Sequence, residues 1–379
     1  MRYYCLLPVL FGLILLCPST AKSQAPDAKP GLAANAALQY AHAFSQLPTL
    51  DKEQEEILGK WNTVPLNDPA VQKLLGASQN SMLFLRRAAK LPDCNWGLDY
   101  NDGVSMLMPY LAKGRDLARL ACLHARQEFE AGNRKAARMD GIAIMTLARH
   151  VGSEPIMISV LVRYNIEGMV VDLFAPYLPE LKDSHGEAKA AFERLPPAPA
   201  LVATILVEKK NFIEWMIDKM KEEELREKGA GLELWKNLVS GPDVPESLKQ
   251  IGSVEEASKL IEGILPIYDE LAKFVALPKD QFDARYPAFK EKTKAANPLA
   301  GIVLPAVDQI LAKEQRNQAR LAMLLAAIAI AENGPDRLKE LKDPFGSGPF
   351  EYRKLDKGFE LKSKLVFEGQ QVTLVAGRP

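Results

Sequence analysis

Two hydrophobic periods divide this chain of 379 residues. Over residues 33–333 the apolar positions recur every three or four residues, and proline or glycine cuts them into runs. After Asn333-Gly334-Pro335 the runs shorten and begin to alternate. A period of about 3.6 belongs to a helix with one buried side, and a period of about 2 to a half-buried strand. The pattern predicts a mainly α fold, built as antiparallel helical hairpins or a bundle, with a small C-terminal β-meander. The hairpins are compatible with a tetratricopeptide-like stack as well as with a plain bundle.

The breaks give the expected elements. Helices are predicted over 33–47, ended by Pro48, over 51–61, capped by Thr49 or Asp51, and over 71–89. A loop rich in Pro, Gly, Asn and Asp covers 91–103. Further helices follow over 108–131, with Pro109 tolerated in the first turn, 134–150 after Gly132-Asn133, and from Glu154-Pro155 to Tyr177. Pro196-Pro197-Ala198-Pro199 is a hard break between an N-terminal helical region, 33–195, and a second one, 200–334. Within the second, helices are expected over 201–228, with a polar KEEELREK face read as solvated, around Trp235, from a Ser253/Glu256 capping box to Val275, and over 279–296 and 300–331. Strands are expected over 350–355, 358–366 and 371–375, in an appendage at 343–379.

The N-terminus reads as a secretory signal peptide, 1–21, followed by a flexible linker, 22–32. Arg2 supplies the charge, 3–16 the apolar run, and Ser19-Thr20-Ala21 the cleavage site. The run of about 14 residues falls short of the ~20 needed to span a bilayer. The other long apolar stretch, 321–331, is bracketed by Arg320 and Glu332. The expected location is therefore periplasmic or secreted, without a transmembrane segment after cleavage. The alternatives are an uncleaved N-terminal anchor and acylation at Cys17, where Leu16 stands in place of the usual small residue.

Forty-eight basic residues balance 48 acidic ones. No broad basic field is implied, which argues against nucleic acid as a partner. Cleavage would leave two cysteines, Cys94 and Cys122. Export permits a disulfide between them, closing a loop of about 29 residues and stabilising by roughly 3 kcal/mol on a chain-entropy account. The competing reading is two buried thiols.

Chemical motifs are sparse. The histidines are His42, His124, His150 and His185, with no HExxH, GxSxG, P-loop or GxGxxG pattern. His124 and Glu128 share a helix face, but two ligands are too few for a metal site. Residues 99–103, DYNDG, are one residue short of a calcium loop and lack its closing Glu, so Asp102 reads as a turn residue. No metal or cofactor is expected. The one loop rich in both aromatic and polar groups carries Asp93, Trp96, Asp99, Tyr100 and Asp102, and these are the candidate ligand-binding residues. The competing reading makes Trp96 a plug for the helical bundle.

Residues 94–181, with Asp93 just before them, carry DCNWGLDYNDG, LARLACLHARQEFEAGNRKAA and ARHVGSEPIMISVLVRYNIEG. This segment resembles a group of exported, uncharacterised helical proteins of planctomycete-type bacteria. The resemblance implies a helical fold and export and brings no activity. Ala121, Phe129, Gly132 and Ala136 are arranged like one tetratricopeptide hairpin, without a second copy at the required period. Residues 319–367 resemble the C-terminal end of type II secretion pseudopilins, through Asp343, Pro344, Phe345, Gly346 and Tyr352. The pilin N-terminal motif is absent, and the acidic calcium loop is replaced by KLVFEGQQVTLVAG with the single acid Glu368. The resemblance therefore implies a shared terminal fold without calcium or pilus assembly.

These features lead to the expectation of an exported, non-catalytic helical protein, a binding or scaffold module whose partner is another envelope protein. The alternative is an envelope hydrolase of an α-helical class using Asp93, Asp99 and Asp102.

Overall fold

The N-terminal helices begin where a side chain can satisfy the first free N–H groups. A computed structural model of the chain describes residues 35–181, 185–241 and 244–378; the leader, the linker and Cys17 lie outside them. Helix α1 (Ala36–Ser45) opens on Asn35, whose side chain accepts from the Ala37 N–H. Helix α2 (Lys52–Gly59) opens on a reciprocal capping box between Asp51 and Gln54, a device worth about 1 kcal/mol. Residues 71–89, expected as one helix, form two: α3 (Pro69–Ala77) and α4 (Gln79–Ala88). The break is at Ser78, which is fully buried and turns its hydroxyl onto the Leu75 carbonyl at 2.8 Å. Such back-bonding competes with the helical ladder.

Three longer helices form the body of the main core. Helix α5 (Pro109–Glu130) keeps its proline in the first turn. Gly132, at φ 81°, reverses the chain into α6 (Arg134–Val151). Helix α7 (Met157–Phe174) follows and runs into a 3-10 turn at Ala175–Glu180. Leu117, Ala121, Ile144, Leu147, Val170 and Phe174 are buried together between these helices.

A middle region follows α8 (His185–Glu193). Helices α9 (Leu201–Glu208) and α10 (Trp215–Arg226) are one continuous rod with a π-turn at Lys209–Glu214. Then come α11 (Ala230–Leu238), α12 (Glu246–Lys249), α13 (Val254–Glu262), α14 (Leu265–Val275), α15 (Lys279–Ala296) and α16 (Ala300–Asn333). The helix expected to run from Ser253 to Val275 is therefore split. At the split the Asn297 side chain donates to the Leu260 carbonyl at 2.9 Å, and Gly263 leaves the space this amide needs. Two smaller cores serve this region, one around Ile205, Leu271 and Leu304 and one around Trp235, Met220 and Ile261.

Helix α16 belongs to two cores. Leu304, Val307 and Ile310 pack in the middle region, while Met323, Leu324 and Ala327 pack in the main core. Gly334, at φ 85°, ends it. Strands β1 (Glu351–Leu355), β2 (Gly358–Phe367) and β3 (Gln370–Ala376) then form an antiparallel meander in the order β1-β2-β3. Glu368 and Gly369 both take positive φ in the β2–β3 turn, the conformation that matches strand twist. A bulge between Lys362 and Val366 is filled by the buried Asp343 carboxylate, which accepts from Ser363 Oγ at 2.8 Å and the Lys364 N–H at 2.6 Å.

The fold is thus mainly helical with a small three-stranded antiparallel sheet. The sheet is no detached appendage: Phe359, Leu361, Leu365 and Leu374 lie in the same core as α1 and α5. An alternating strand pattern has one apolar face to bury, and the second half of α16 provides the surface. Gly377 N–H also donates to the Ala175 carbonyl at 2.9 Å. Among the described residues no helix is long and apolar enough to cross a membrane.

Candidate functional site

The aromatic loop after α4 is wired into the scaffold. Trp96 stacks on Tyr110 at 4.2 Å, lies beside Tyr40 and Phe44, and donates from Nε1 to the His150 carbonyl at 2.8 Å. Tyr100 donates to Glu154 Oε2 at 2.7 Å. Asp93, Asp99 and Asp102 are exposed. Asp99 accepts from the backbone and side-chain nitrogens of Asn101, as an Asx-turn does. The loop brings its two aromatic residues into packing and leaves its three carboxylates in solvent.

The same loop seats the middle region. Trp215 Nε1 donates to the Asn101 carbonyl at 2.8 Å. Gly103, at φ 52°, lies so close to the Trp215 ring that a Cβ would stand 2.1 Å from it.

Cys94 and Cys122 are free thiols. Cys94 lies near the hydroxyls of Tyr40 and Tyr110. Cys122 is on α5, twelve residues past Tyr110, a rise of about 18 Å at 1.5 Å per residue. A bridge needs Cα atoms within about 7 Å, so the structure leaves the pair apart. Burial pushes the Cys94 thiol up to about 12 and raises Cys122 well above its ordinary value, which makes both poor nucleophiles.

His124 is committed to a buried ion network. Its Nδ1 lies 2.9 Å from Asp140 Oδ2, while Arg86 Nε donates to Asp140 Oδ1 at 2.6 Å. Glu128 stands 3.9 Å from the other ring nitrogen. No group of three or more His, Cys, Asp or Glu side chains that could hold a metal occurs among the described residues.

A groove of a different character lies between α7 and α16. Helix α7 contributes Tyr164, Asn165 and Gly168, and α16 contributes Lys313, Arg316 and Arg320. On each helix these positions recur at helical spacing, so they fall on one face. They enclose a cavity of ≈ 170 Å³. Gly168 is what lets Arg320 lie across α7, since a Cβ there would stand 3.2 Å from Arg320 Nη1. Arg320 then pairs with Asp172, one turn further on.

The floor of this groove is a closed charge network. Glu167 is 1% exposed. It is met by Arg149 Nε at 2.9 Å, by Arg163 Nε at 4.0 Å and by the Asn317 amide. Burial raises Glu314, and the Tyr164 hydroxyl partly offsets this. The rim differs. Among the described residues no carboxylate lies within 4.0 Å of Lys313 or Arg316. Arg316 instead rests over the Phe367 ring, 4.8 Å from its centroid, a cation–π contact that orients the guanidinium and leaves its N–H groups free.

Beyond Arg316 and Arg320 a second cavity of ≈ 410 Å³ opens against the β2–β3 hairpin, with Gln370, Gln371 and Thr373 on its wall. Asp172 and Glu368 also lie there. The arrangement supplies positive charge and hydrogen-bond donors, with no nucleophile held by a base. The visible trace of this site in the chain is KEQRNQAR, a cationic stretch inside an otherwise apolar helix. Its counterpart on α7 lies roughly 150 positions away, a separation no periodicity rule reads. Compared with known proteins, the chain matches no family model, no curated protein and no solved structure.

Proposed function

We propose that this chain is an exported, non-catalytic binding module of the cell envelope, that the groove between α7 and α16 is its binding site, and that its partner is another envelope protein. The observation that carries this reading is the contrast between rim and floor. Glu167 and Asp172 each face an arginine and Glu314 is buried beside the Tyr164 hydroxyl, while Lys313 and Arg316 have no carboxylate within 4.0 Å among the described residues. Charges left uncompensated beside a cavity are available to a ligand. The leader pattern over 1–21 supports export. The three carboxylates of the 93–102 loop stand in solvent, which favours this reading over the hydrolase alternative.

Photo-crosslinking tests it. A benzophenone amino acid in place of exposed Asn165 should trap one defined adduct in envelope fractions, and Arg316→Glu should abolish it. The same probe in place of Lys236, on α11, should trap none. Equal adducts from both positions, or none from Asn165, would overturn the reading.

A further inference from the structure

We infer that the groove recognises an oxyanion, a carboxylate or phosphate group seated between Lys313 and Arg316, with the polar remainder of the ligand directed along the β2–β3 hairpin. This rests on the groove being the binding site and adds the chemistry of what enters it.

Three features select an oxyanion. The first is the shape of the donor set. A guanidinium presents its N–H groups as a planar fork that matches the spacing of two oxygens on carboxylate or phosphate. Arg316 presents that fork unpaired, and its stacking on Phe367 fixes the plane before any ligand arrives. Pre-organisation of this kind removes part of the ordering cost of binding. Lys313 lies one turn away on the same face of α16 and adds a point charge.

The second is the absence of an internal competitor. Glu167 already faces Arg149, Arg163 and Asn317, and Asp172 holds Arg320. Glu314, next to Lys313 in sequence, is buried beside the Tyr164 hydroxyl, and among the described residues none of these carboxylates comes within 4.0 Å of Lys313 or Arg316.

The third is the asymmetry of the two cavities on either side of Arg316. The α7 side is lined by Lys313, Arg316 and Arg320 without a carboxylate. The sheet side shares Arg316 and Arg320 and adds Asp172 and Glu368, along with Gln370, Gln371 and Thr373. An anionic group is favoured in the first, where no carboxylate offsets the cations, over the second, where two carboxylates do, while neutral hydroxyl or amide groups find donors and acceptors on the second. The cavity of ≈ 170 Å³ also exceeds the ~30 Å³ share of one water molecule several-fold, which is room for a carboxylate or phosphate.

Calorimetry and thermal unfolding on the whole mature chain test this, with inorganic phosphate, sulfate and acetate as probes and chloride at matched ionic strength as the reference. Saturable binding of phosphate or acetate is expected, and which of the two is tighter identifies the source of the oxyanion. Arg316→Gln should weaken it roughly tenfold or more, and Lys313→Gln less, as expected for loss of a charge-assisted pair. Both side chains are exposed, so the variants should fold, and unchanged thermal unfolding without ligand checks this. Lys357→Gln, in the exposed β1–β2 turn, removes the same charge elsewhere and should leave binding unchanged. Stabilisation equal to that by chloride, or binding indifferent to Arg316→Gln, overturns the inference. The crosslink at Asn165 separates the two claims: an adduct untouched by phosphate and acetate leaves the groove as a protein site and removes the oxyanion. Phosphate binding lost in Arg316→Gln, with no adduct, keeps the oxyanion and removes the protein partner.

Discussion

The main core and the middle region use charge in opposite ways. In the main core Asp140 is 0% exposed and Glu167 1%, and each is held by side chains from distant parts of the chain, Arg86 and His124 for the first and Arg149 and Asn317 for the second. Among the described residues of 201–311 no carboxylate is fully enclosed, and Glu208 is half-buried. The charges there pair in partly exposed positions, some between near neighbours, as in Lys236–Glu233 and Lys279–Asp283, and some between helices, as in Lys209–Asp269 and Lys290–Asp308. A buried ion pair is a weak source of net stability but a severe penalty on misalignment, because one displaced partner leaves an uncompensated charge. Exposed neighbours three or four residues apart impose no such penalty. The main core therefore specifies one register, and the middle region is held by apolar stripes with partly exposed ion pairs between its helices.

The largest test of this contrast is Asp140→Ala. It strands Arg86 and His124 in the core and should cost about 3–5 kcal/mol in urea unfolding. A cost below about 1 kcal/mol, the range of an exposed pair, would erase the distinction between the two regions.

Next in size is Gly103→Ala at the junction of the two regions. Its positive φ and the Trp215 ring in the place of a Cβ both oppose the change, and overpacking of this kind costs about 1–3 kcal/mol. The loss should fall on the joint. Amide exchange should quicken in α10 and leave α5 and α6 as they were. Equal quickening in all three would mean that the two regions unfold as one and that the contrast has no mechanical meaning.

Much of this fold is legible in the chain because it is written locally. The shift of period at Asn333-Gly334-Pro335 marks the change from helix to strand, and most helix ends follow proline, glycine or a capping side chain. What escapes is set by groups far apart in sequence. The break at Ser78 depends on a buried hydroxyl, and the split after α13 depends on Asn297, more than thirty residues later. The meander looks separable because an alternating pattern names a buried face without naming what covers it. Trp96 and Tyr100 attract attention as a site for the same reason they form a plug: an aromatic ring with a polar tip suits either task. The groove is least legible, since Gly168 matters only because Arg320 crosses it.

The smallest expected effect is the pH response, because two groups work against each other. Burial lowers His150, partly offset by the Pro92 carbonyl and by Asp93. The unfolded chain then binds more protons just below pH 6.5, so stability is present above that value and is lost as pH falls. Glu208, the last residue of α9, has the opposite sign. Burial raises it, partly offset by the Met157 N–H that it accepts at 2.8 Å. The folded chain binds more protons above pH 4.5, so stability falls as pH rises through the raised value. His150 lies in the main core and Glu208 in the middle region, so the two regions should respond to acid in opposite directions. His150→Gln should flatten the loss of exchange protection in α6 on acidification, and Glu208→Gln should flatten the gain in α9. Slopes of the same sign in both helices would show that the regions share one titration, and the difference in how they hold charge would then stop at geometry.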